Sequence, residues 1–220
     1  TMVYGIARML NFAHGDIIMV GGFAIFTMVS TLGLPAPLGI LTAVVICTVL
    51  GVTIERVAYK PLRGASSLAV LITAIGVSYL LQNLALLIFG SNARQFTSVV
   101  TVPGLKLAGG ALSISGETIV TILSCIVIMV CLTQFINRTK VGQAMLAVSE
   151  DQGAATLMGI DVNRTIAITF AIGSALAAIA GALLCSTYPS LTPYTGSMPG
   201  IKAFVAAVFG GIGSIPGALI

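Results

Sequence analysis

The sequence predicts an all-α polytopic membrane protein with about six or seven transmembrane helices, a short cytoplasmic helix and a small external hairpin. Of its 220 residues, 57% are hydrophobic and only 7% are charged, whereas a soluble domain carries roughly 25% charged residues. Apolar runs long enough to cross a hydrocarbon core of about 30 Å recur along the chain. This composition excludes a soluble domain, whose exterior must be largely polar to stay dispersed.

Six apolar runs are the candidate spans, and residues 1–10 have the composition of the end of an earlier helix. The runs lie within residues 17–34, 36–54, 64–93, 118–137, 165–187 and 200–220. Because both ends of the chain fall inside apolar stretches, we expect a single transmembrane domain over residues 1–220 that is truncated at both ends.

Basic residues predict which side each loop faces. Alternating the spans puts seven on one side and three on the other: Arg8, Arg56, Lys60, Arg63, Arg138, Lys140 and Arg164 against Arg94, Lys106 and Lys202. The positive-inside rule places the larger group in the cytoplasm, together with the loop over residues 139–160. The loop over residues 91–116 is then external, and its short alternating pieces beside glycine turns predict a β-hairpin.

Small residues at a spacing of four positions predict close helix packing in two of the spans. The two rows are Gly173, Ala177, Gly181 and Ala203, Ala207, Gly211. The glycine-rich stretch over residues 210–217, which contains Pro216, is unusual for a continuous helix. It predicts either a broken segment that lines a cavity or a tightly packed, kinked helix.

The cytoplasmic loop carries the signals of a short helix of about three turns. Ser149 begins a capping-box pattern that ends at Gln152, and Ser149 is expected to cap the helix. Glu150 and Asp151 fall in the first turn, where the helix dipole favours negative charge. Asp161 is placed to cap the span that follows.

Ala154 and Ala155 give this short helix a small apolar face, and Gly159 is expected to end it. Such a helix either fits a groove on a partner protein or rests on lipid headgroups as a connector. The docking alternative makes six residues candidates for coupling to a partner: Ser149, Glu150, Asp151, Ala154, Ala155 and Gly159.

Few polar side chains lie in or beside the spans, and these are the candidates for a transport pathway. Asn11, His14 and Asp16 precede the first full span, while Gln82 and Asn83 lie within the third, where Ser78 and Thr73 can share their face. The first three residues can instead form a capped turn. The two amides can instead hydrogen-bond to neighbouring helices.

Longer stretches of the chain resemble a known family. Residues 154–159 resemble the core of the coupling-loop signature of bacterial ABC importer permeases, although Gly153 replaces its glutamate and its later Ile-x-Leu-Pro tail is missing. The segments at 4–6, 11–16, 54–63, 71–76, 82–83, 159–160, 202–204 and 210–218 resemble those of branched-chain amino-acid ABC permeases. The chain is most similar to the first of the two paired permeases of the leucine/isoleucine/valine importer.

The resemblance implies a multi-pass subunit of the bacterial inner membrane that imports branched-chain amino acids. It implies a second permease, most simply in a heterodimer, two ATPase subunits and a periplasmic substrate-binding protein. ATP and Mg are then bound by the ATPase subunits, and this chain is neither an enzyme nor the holder of a cofactor. In agreement, no Gly precedes any lysine, so the sequence lacks a P-loop G-x-x-x-x-G-K-[ST] motif.

Other classes of function are disfavoured by the residue pattern. The basic residues form no cluster typical of nucleic-acid binding, and the four cysteines lack metal-ligand spacing. No set of paired carboxylates or Ser, His and Asp predicts a membrane-embedded enzyme. Two alternatives stay open: a urea or short-chain amide permease of the same family, and a secondary transporter or channel that needs no ATPase.

Overall fold

The computed structural model describes residues 2–7, 11–96, 98–100, 102–107, 112–211, 213 and 217. Within them, five helices are long and apolar enough to cross a membrane. These are α2 (His14–Phe26, continued by a π-helical turn, Thr27–Thr31), α3 (Ala36–Ile54, continued by π and 3-10 turns as far as Leu62), α4 (Ser67–Phe89), α5 (Gly116–Arg138) and α8 (Val162–Thr187).

Four shorter helices complete the helical part of the described chain: α1 (Met2–Ala7), α6 (Lys140–Glu150), α7 (Gln152–Leu157) and α9 (Ser197–Phe209). The all-α polytopic class is confirmed. The last predicted span, over residues 200–220, contains the 13-residue helix α9; residues 212, 214–216 and 218–220 of that span, and with them half of the glycine-rich stretch over residues 210–217, lie outside the described part.

The ends of the spans follow local sequence signals. Pro37 lies in the first turn of α3, where a missing N–H costs nothing. Ser66 and Ser115 cap α4 and α5. Asp161 caps α8 as predicted, because its Oδ1 accepts a hydrogen bond from the Arg164 amide at 3.0 Å.

The core of the molecule is formed by α8 packed against α2 and α3. The row of Gly173, Ala177 and Gly181 is buried, and a Cβ on Gly181 would lie 2.6 Å from the Ile18 carbonyl oxygen. This predicted packing row is confirmed. In the second row Ala203 and Gly211 are exposed and only Ala207 is buried within the chain, so this row does not form a continuous internal packing surface.

The outward surfaces of α3, α4 and α5 are apolar. Large side chains such as Val49, Leu87 and Val127 are exposed, and in α5 Gly116 alone is buried. Water-facing helices would carry polar residues at these positions. The surface therefore fits lipid or another apolar helix.

Two pairs of short strands lie outside the bundle. The predicted hairpin is confirmed: β2 (Leu105–Leu107) pairs with β3 (Leu112–Ile114), although its turn at residues 108–111 lies outside the described part. A second pair was not predicted. In it β1 (Arg94–Gln95) joins β4 (Ser190–Leu191) and ties the loop that is predicted to be external to the stretch that leads into α9.

We call the end of the bundle that carries Arg56, Lys60 and Arg164 the basic face; it is the face predicted to be cytoplasmic. The end of α3 and the start of α8 lie side by side at this face, since Arg63, which follows α3, donates a hydrogen bond to Asn163 in the first turn of α8. Arg63 also forms an ion pair with the buried Glu55. Arg8, predicted for this side, lies outside the described residues.

Candidate functional site

Helix α2 begins near the middle of the membrane-spanning bundle and not at its edge. A Cβ on Gly173, near the middle of α8, would lie 3.6 Å from His14 Cε1. Asp16, in the first turn of α2, hydrogen-bonds to Ser78, near the middle of α4. Both neighbours are halfway along helices that are long enough to span a membrane, so the Asp16 carboxylate lies close to the mid-depth of the bundle.

A group of four side chains from three helices meets at this level. The Asp16 cluster consists of Asp16 on α2, Ser78 and Gln82 on α4, and Ser197 on α9. Ser78 Oγ donates to Asp16 Oδ2, and Gln82 Nε2 donates to Asp16 Oδ1 at 3.0 Å. The same Gln82 nitrogen lies 3.2 Å from Ser78 Oγ and 3.3 Å from Ser197 Oγ.

Asp16 is only 1% exposed, and among the described residues no cation forms an ion pair with it. Burying a carboxylate without a counter-ion is costly. Ionisable residues buried within membrane-spanning helices commonly mark substrate or ion pathways. The partners of Asp16 are neutral hydrogen-bond donors, which leaves the site able to accept a cationic group.

Glycine contacts bring two helix N-termini together beside this carboxylate. A Cβ on Gly15 would lie 2.4 Å from the Gly196 carbonyl oxygen and 2.9 Å from Gly200 Cα, and a Cβ on Gly196 would lie 2.1 Å from the Gly15 oxygen. Only glycines permit this approach. The positive dipole ends of α2 and α9 therefore meet near Asp16 and favour its negative charge.

From this crossing α9 runs toward the basic face. The ring of Phe204 lies 5.4 Å from the ring of Phe12, and the neighbouring Asn11 accepts a hydrogen bond from Tyr59 OH at 2.8 Å. Lys202 is thus part of a helix that starts at mid-depth. Its predicted external position is wrong, because the chain enters the bundle before α9 begins.

The candidate pathway residues separate into two groups. Asp16 and Gln82 join the Asp16 cluster, and His14 lies beside them against α8. Asn11 accepts from Tyr59, but its buried Nδ2 has no partner among the described residues. Asn83 is exposed and donates to the Tyr79 carbonyl oxygen at 2.7 Å, so it does not reach the cluster.

The capped-turn alternative does not describe the start of α2. Ala13 precedes the helix, and no side chain caps it. The Asp16 carboxylate instead accepts hydrogen bonds from Ser78 and Gln82 on α4. Sequence reasoning missed Ser197, Gly15, Gly196 and Gly200 as parts of the site, since nothing local marks a contact between residues far apart in the chain. The spacing of Ser78 and Gln82 by four positions was the available signal on α4.

The loop at the basic face contains two helices where one was predicted. The first, α6, is capped by Thr139 and includes Ser149, whose Oγ donates to the Leu146 carbonyl oxygen. The capping box at Ser149 is therefore wrong. Asp151 is the cap of α7, because its Oδ1 accepts from the Gly153 and Ala154 amides at 2.7 and 3.0 Å.

Helix α7 is shorter than the predicted three turns and presents different residues from those expected. Ala155 is 3% exposed and packs on its own chain, while Leu157 and Met158 are 90% and 83% exposed. Gly159 ends the helix as predicted, with a φ of 83°. Glu150 closes α6 and does not begin α7. Leu157 and Met158 are more exposed than the other apolar side chains described in this loop, such as Leu146, which is 51% exposed.

Residues 1–220 match, over their whole length, the family model described as the permease component of branched-chain amino acid transport systems. The protein belongs to that family. The high-affinity branched-chain amino acid permease LivH of Salmonella typhimurium is 43% identical, in a match that covers 100% of this permease and 75% of LivH. BraD of Pseudomonas aeruginosa gives the same identity and coverage.

A more distant relative also matches this permease over its full length. The probable branched-chain amino acid permease LivH of Methanocaldococcus jannaschii is 29% identical, and the match covers 70% of that protein. No solved structure gives a significant match. The predicted family membership and the multi-pass membrane character are confirmed.

Proposed function

We propose that this permease is a membrane subunit of an ATP-driven importer that carries branched-chain amino acids into the cytoplasm. The family and the named relatives support the substrate class. The observation that carries the proposal is the Asp16 cluster: a buried carboxylate at mid-depth, held by neutral donors from α4 and α9. A transport subunit needs such a polar point in an otherwise apolar interior.

The cluster supplies chemistry suited to an amino acid. The substrate is a zwitterion, and its ammonium group can take the place of the Ser78 and Gln82 donors on the Asp16 carboxylate. Its carboxylate is then near the N-termini of α2 and α9, which favour anions. The aliphatic side chain has apolar surroundings. Selectivity among leucine, isoleucine and valine rests on a separate binding protein.

The crossing of α2 and α9 gives the passage a means to open. Gly15, Gly196 and Gly200 hold the two backbones together without side chains, so the helices can pivot there at low steric cost. Gln82 bridges both sides of the crossing. Movement of α9 away from α2 would break this bridge and expose Asp16 to one face of the membrane.

Coupling to ATP hydrolysis is proposed at α7 on the basic face, which is then cytoplasmic. Leu157 and Met158 project from a capped, short helix and offer an apolar contact to an ATPase subunit, which binds ATP and Mg. Asp161 fixes the start of α8 close behind α7. A movement of the ATPase would thereby reach α8 and the α2 packed on it. A second permease and a periplasmic binding protein complete the proposed assembly in the inner membrane.

The test is uptake of labelled leucine by cells that express the full-length protein with its transport partners and have no other leucine uptake. Asp16→Asn is expected to lower uptake roughly ten-fold or more at an unchanged protein level, since hydrogen bonds to a charged group are among the strong ones. Asn83→Leu is the matched control on α4 and leaves uptake unchanged. Normal uptake by the Asp16→Asn protein overturns the role of the cluster.

Competition in the same assay tests the substrate class. Unlabelled isoleucine and valine are expected to compete with leucine, and urea or acetamide are not. Competition by urea alone assigns the protein to amide transport. Uptake that persists when the ATPase subunits are deleted assigns it to gradient-driven transport and removes the coupling role of α7.

A further inference from the structure

A cavity of about 500 Å³ opens between the ends of α3 and α8 at the basic face, away from the Asp16 cluster. Its outer part is lined by Arg56, Lys60 and Arg164, and its inner part by Val52, Ile168 and Ala171. The cavity thus has a cationic entrance and an apolar floor. Ala171 follows Arg164 by seven positions on α8, which places the floor about 10 Å deeper.

The charges at the entrance are not balanced by the chain itself. Glu55 also lines the cavity, but it is 1% exposed and paired with Arg63. Asp161 is engaged as the cap of α8. Among the residues that line the cavity, the three exposed cations Arg56, Lys60 and Arg164 therefore face Asp161 as the single remaining carboxylate.

The position of the cavity relates it to lipid. Val52 and Ala171 belong to spanning helices, while Arg56 and Lys60 follow at the point where α3 leaves the apolar region. A guanidinium group binds phosphate in bidentate fashion. A soluble anion would make no use of the apolar floor, whereas a phospholipid places its phosphate at the cations and the upper part of an acyl chain on the floor.

We propose that this cavity binds the headgroup of an anionic phospholipid from the leaflet at the basic face. Basic pockets between membrane helices recognise such lipids through charge and shape. A bound lipid would hold the end of α3 against the start of α8, beside the Arg63–Asn163 contact. Since α7 precedes α8 closely, the lipid would also steady the helix proposed to contact the ATPase.

The test is native mass spectrometry of the intact protein, purified from membranes with any subunits that stay bound. Phosphatidylglycerol and phosphatidylcholine of the same acyl chains are added in equal amounts. The unchanged protein is expected to retain phosphatidylglycerol in preference. The triple variant Arg56→Gln, Lys60→Gln, Arg164→Gln is expected to lose that preference. Each removed cation should lower the ratio of bound phosphatidylglycerol to phosphatidylcholine roughly five-fold.

The matched control is Arg138→Gln with Lys140→Gln, which removes two exposed cations on the same face but outside the cavity. This variant is expected to keep the preference for phosphatidylglycerol. If the triple variant does not fold, Lys60→Gln alone tests the same point, and the preference for phosphatidylglycerol is then expected to fall about five-fold.

Three results would overturn the proposal. The first is equal retention of the two lipids by the unchanged protein. The second is an equal loss of preference in the control and the triple variant. The third is displacement of phosphatidylglycerol by soluble glycerol 3-phosphate at the same concentration, which would make the cavity a site for a free phosphate.

Discussion

The side-chain amide of Gln82 lies 3.0 Å from the carboxylate of Asp16 and joins α4 to the first turn of α2 near the mid-plane of the bundle. The same nitrogen reaches Ser197 at 3.3 Å. One amide therefore connects three helices around a buried charge. Substitutions near this contact and at the basic face have distinct expected effects.

Gly15→Ala is expected to disrupt the crossing of α2 and α9. The added Cβ would lie 2.4 Å from the Gly196 carbonyl oxygen, so the helices must separate, at a cost of about 1–3 kcal/mol for overpacking. The measurement is the thermal unfolding midpoint in detergent together with leucine uptake, and both are expected to fall. Gly76→Ala in α4, where a Cβ meets nothing within 4 Å, is the control and should leave the midpoint unchanged or raised. An unaltered Gly15→Ala protein would mean that the two backbones are not in contact.

Leu157→Asp and Met158→Asp are expected to uncouple ATP hydrolysis from transport. Both side chains are almost fully exposed, so a charge there should disturb contact with a partner and leave the fold intact. Substrate-stimulated ATPase activity of the purified assembly measures the effect, with Met158→Leu as the conservative control. Full stimulation in both aspartate variants would exclude this surface from coupling.

Ala155→Asp should behave differently from the Leu157 and Met158 variants. Ala155 is 3% exposed, and a charge placed there without a partner is buried at a cost. The amount of protein in the membrane is therefore expected to fall, as measured by immunoblotting of membrane fractions. A normal amount of Ala155→Asp protein that lacks coupling would instead support the sequence-based docking role of Ala155.

Arg63→Gln is expected to lower the unfolding midpoint more than Arg63→Gln combined with Glu55→Gln. Removing Arg63 alone leaves the buried Glu55 charge without its partner, and breaking a buried pair costs about 3–5 kcal/mol. A double-mutant cycle on thermal unfolding isolates the coupling. Additive effects of the two substitutions would show that the ion pair does not contribute to stability.

Asp151→Ala is expected to loosen the start of α7 by about 1 kcal/mol, because two amides lose their acceptor. Hydrogen–deuterium exchange at Gly153 and Ala154 should accelerate accordingly. Ser149→Ala leaves both of these hydrogen bonds in place and serves as the comparison. Faster exchange in the Ser149 variant than in the Asp151 variant would favour the capping box predicted from the sequence.

Hydropathy and local caps were sufficient for most of the elements. The second span was predicted at the same residues as α3, Ala36–Ile54, and the hairpin and the Asp161 cap were also correct. The short helix α6 was missed, and with it the place of Ser149. Its apolar positions, such as Met145 and Val148, become interpretable only where they pack on the bundle.

The sequence by itself determined the class of the protein, the positions of its long spans and its family, since apolar length and local motifs act over a few neighbouring residues. Tertiary structure alone decided that α2 starts at the mid-depth of the bundle. It also decided that Asp16 and Ser197 both hydrogen-bond to the side-chain amide of Gln82 there. Those residues are far apart in the chain, and their contact depends on how closely glycine backbones let whole helices approach. The burial of Ala155 and the exposure of Leu157 were decided in the same way, by which side of a short helix packs on the bundle.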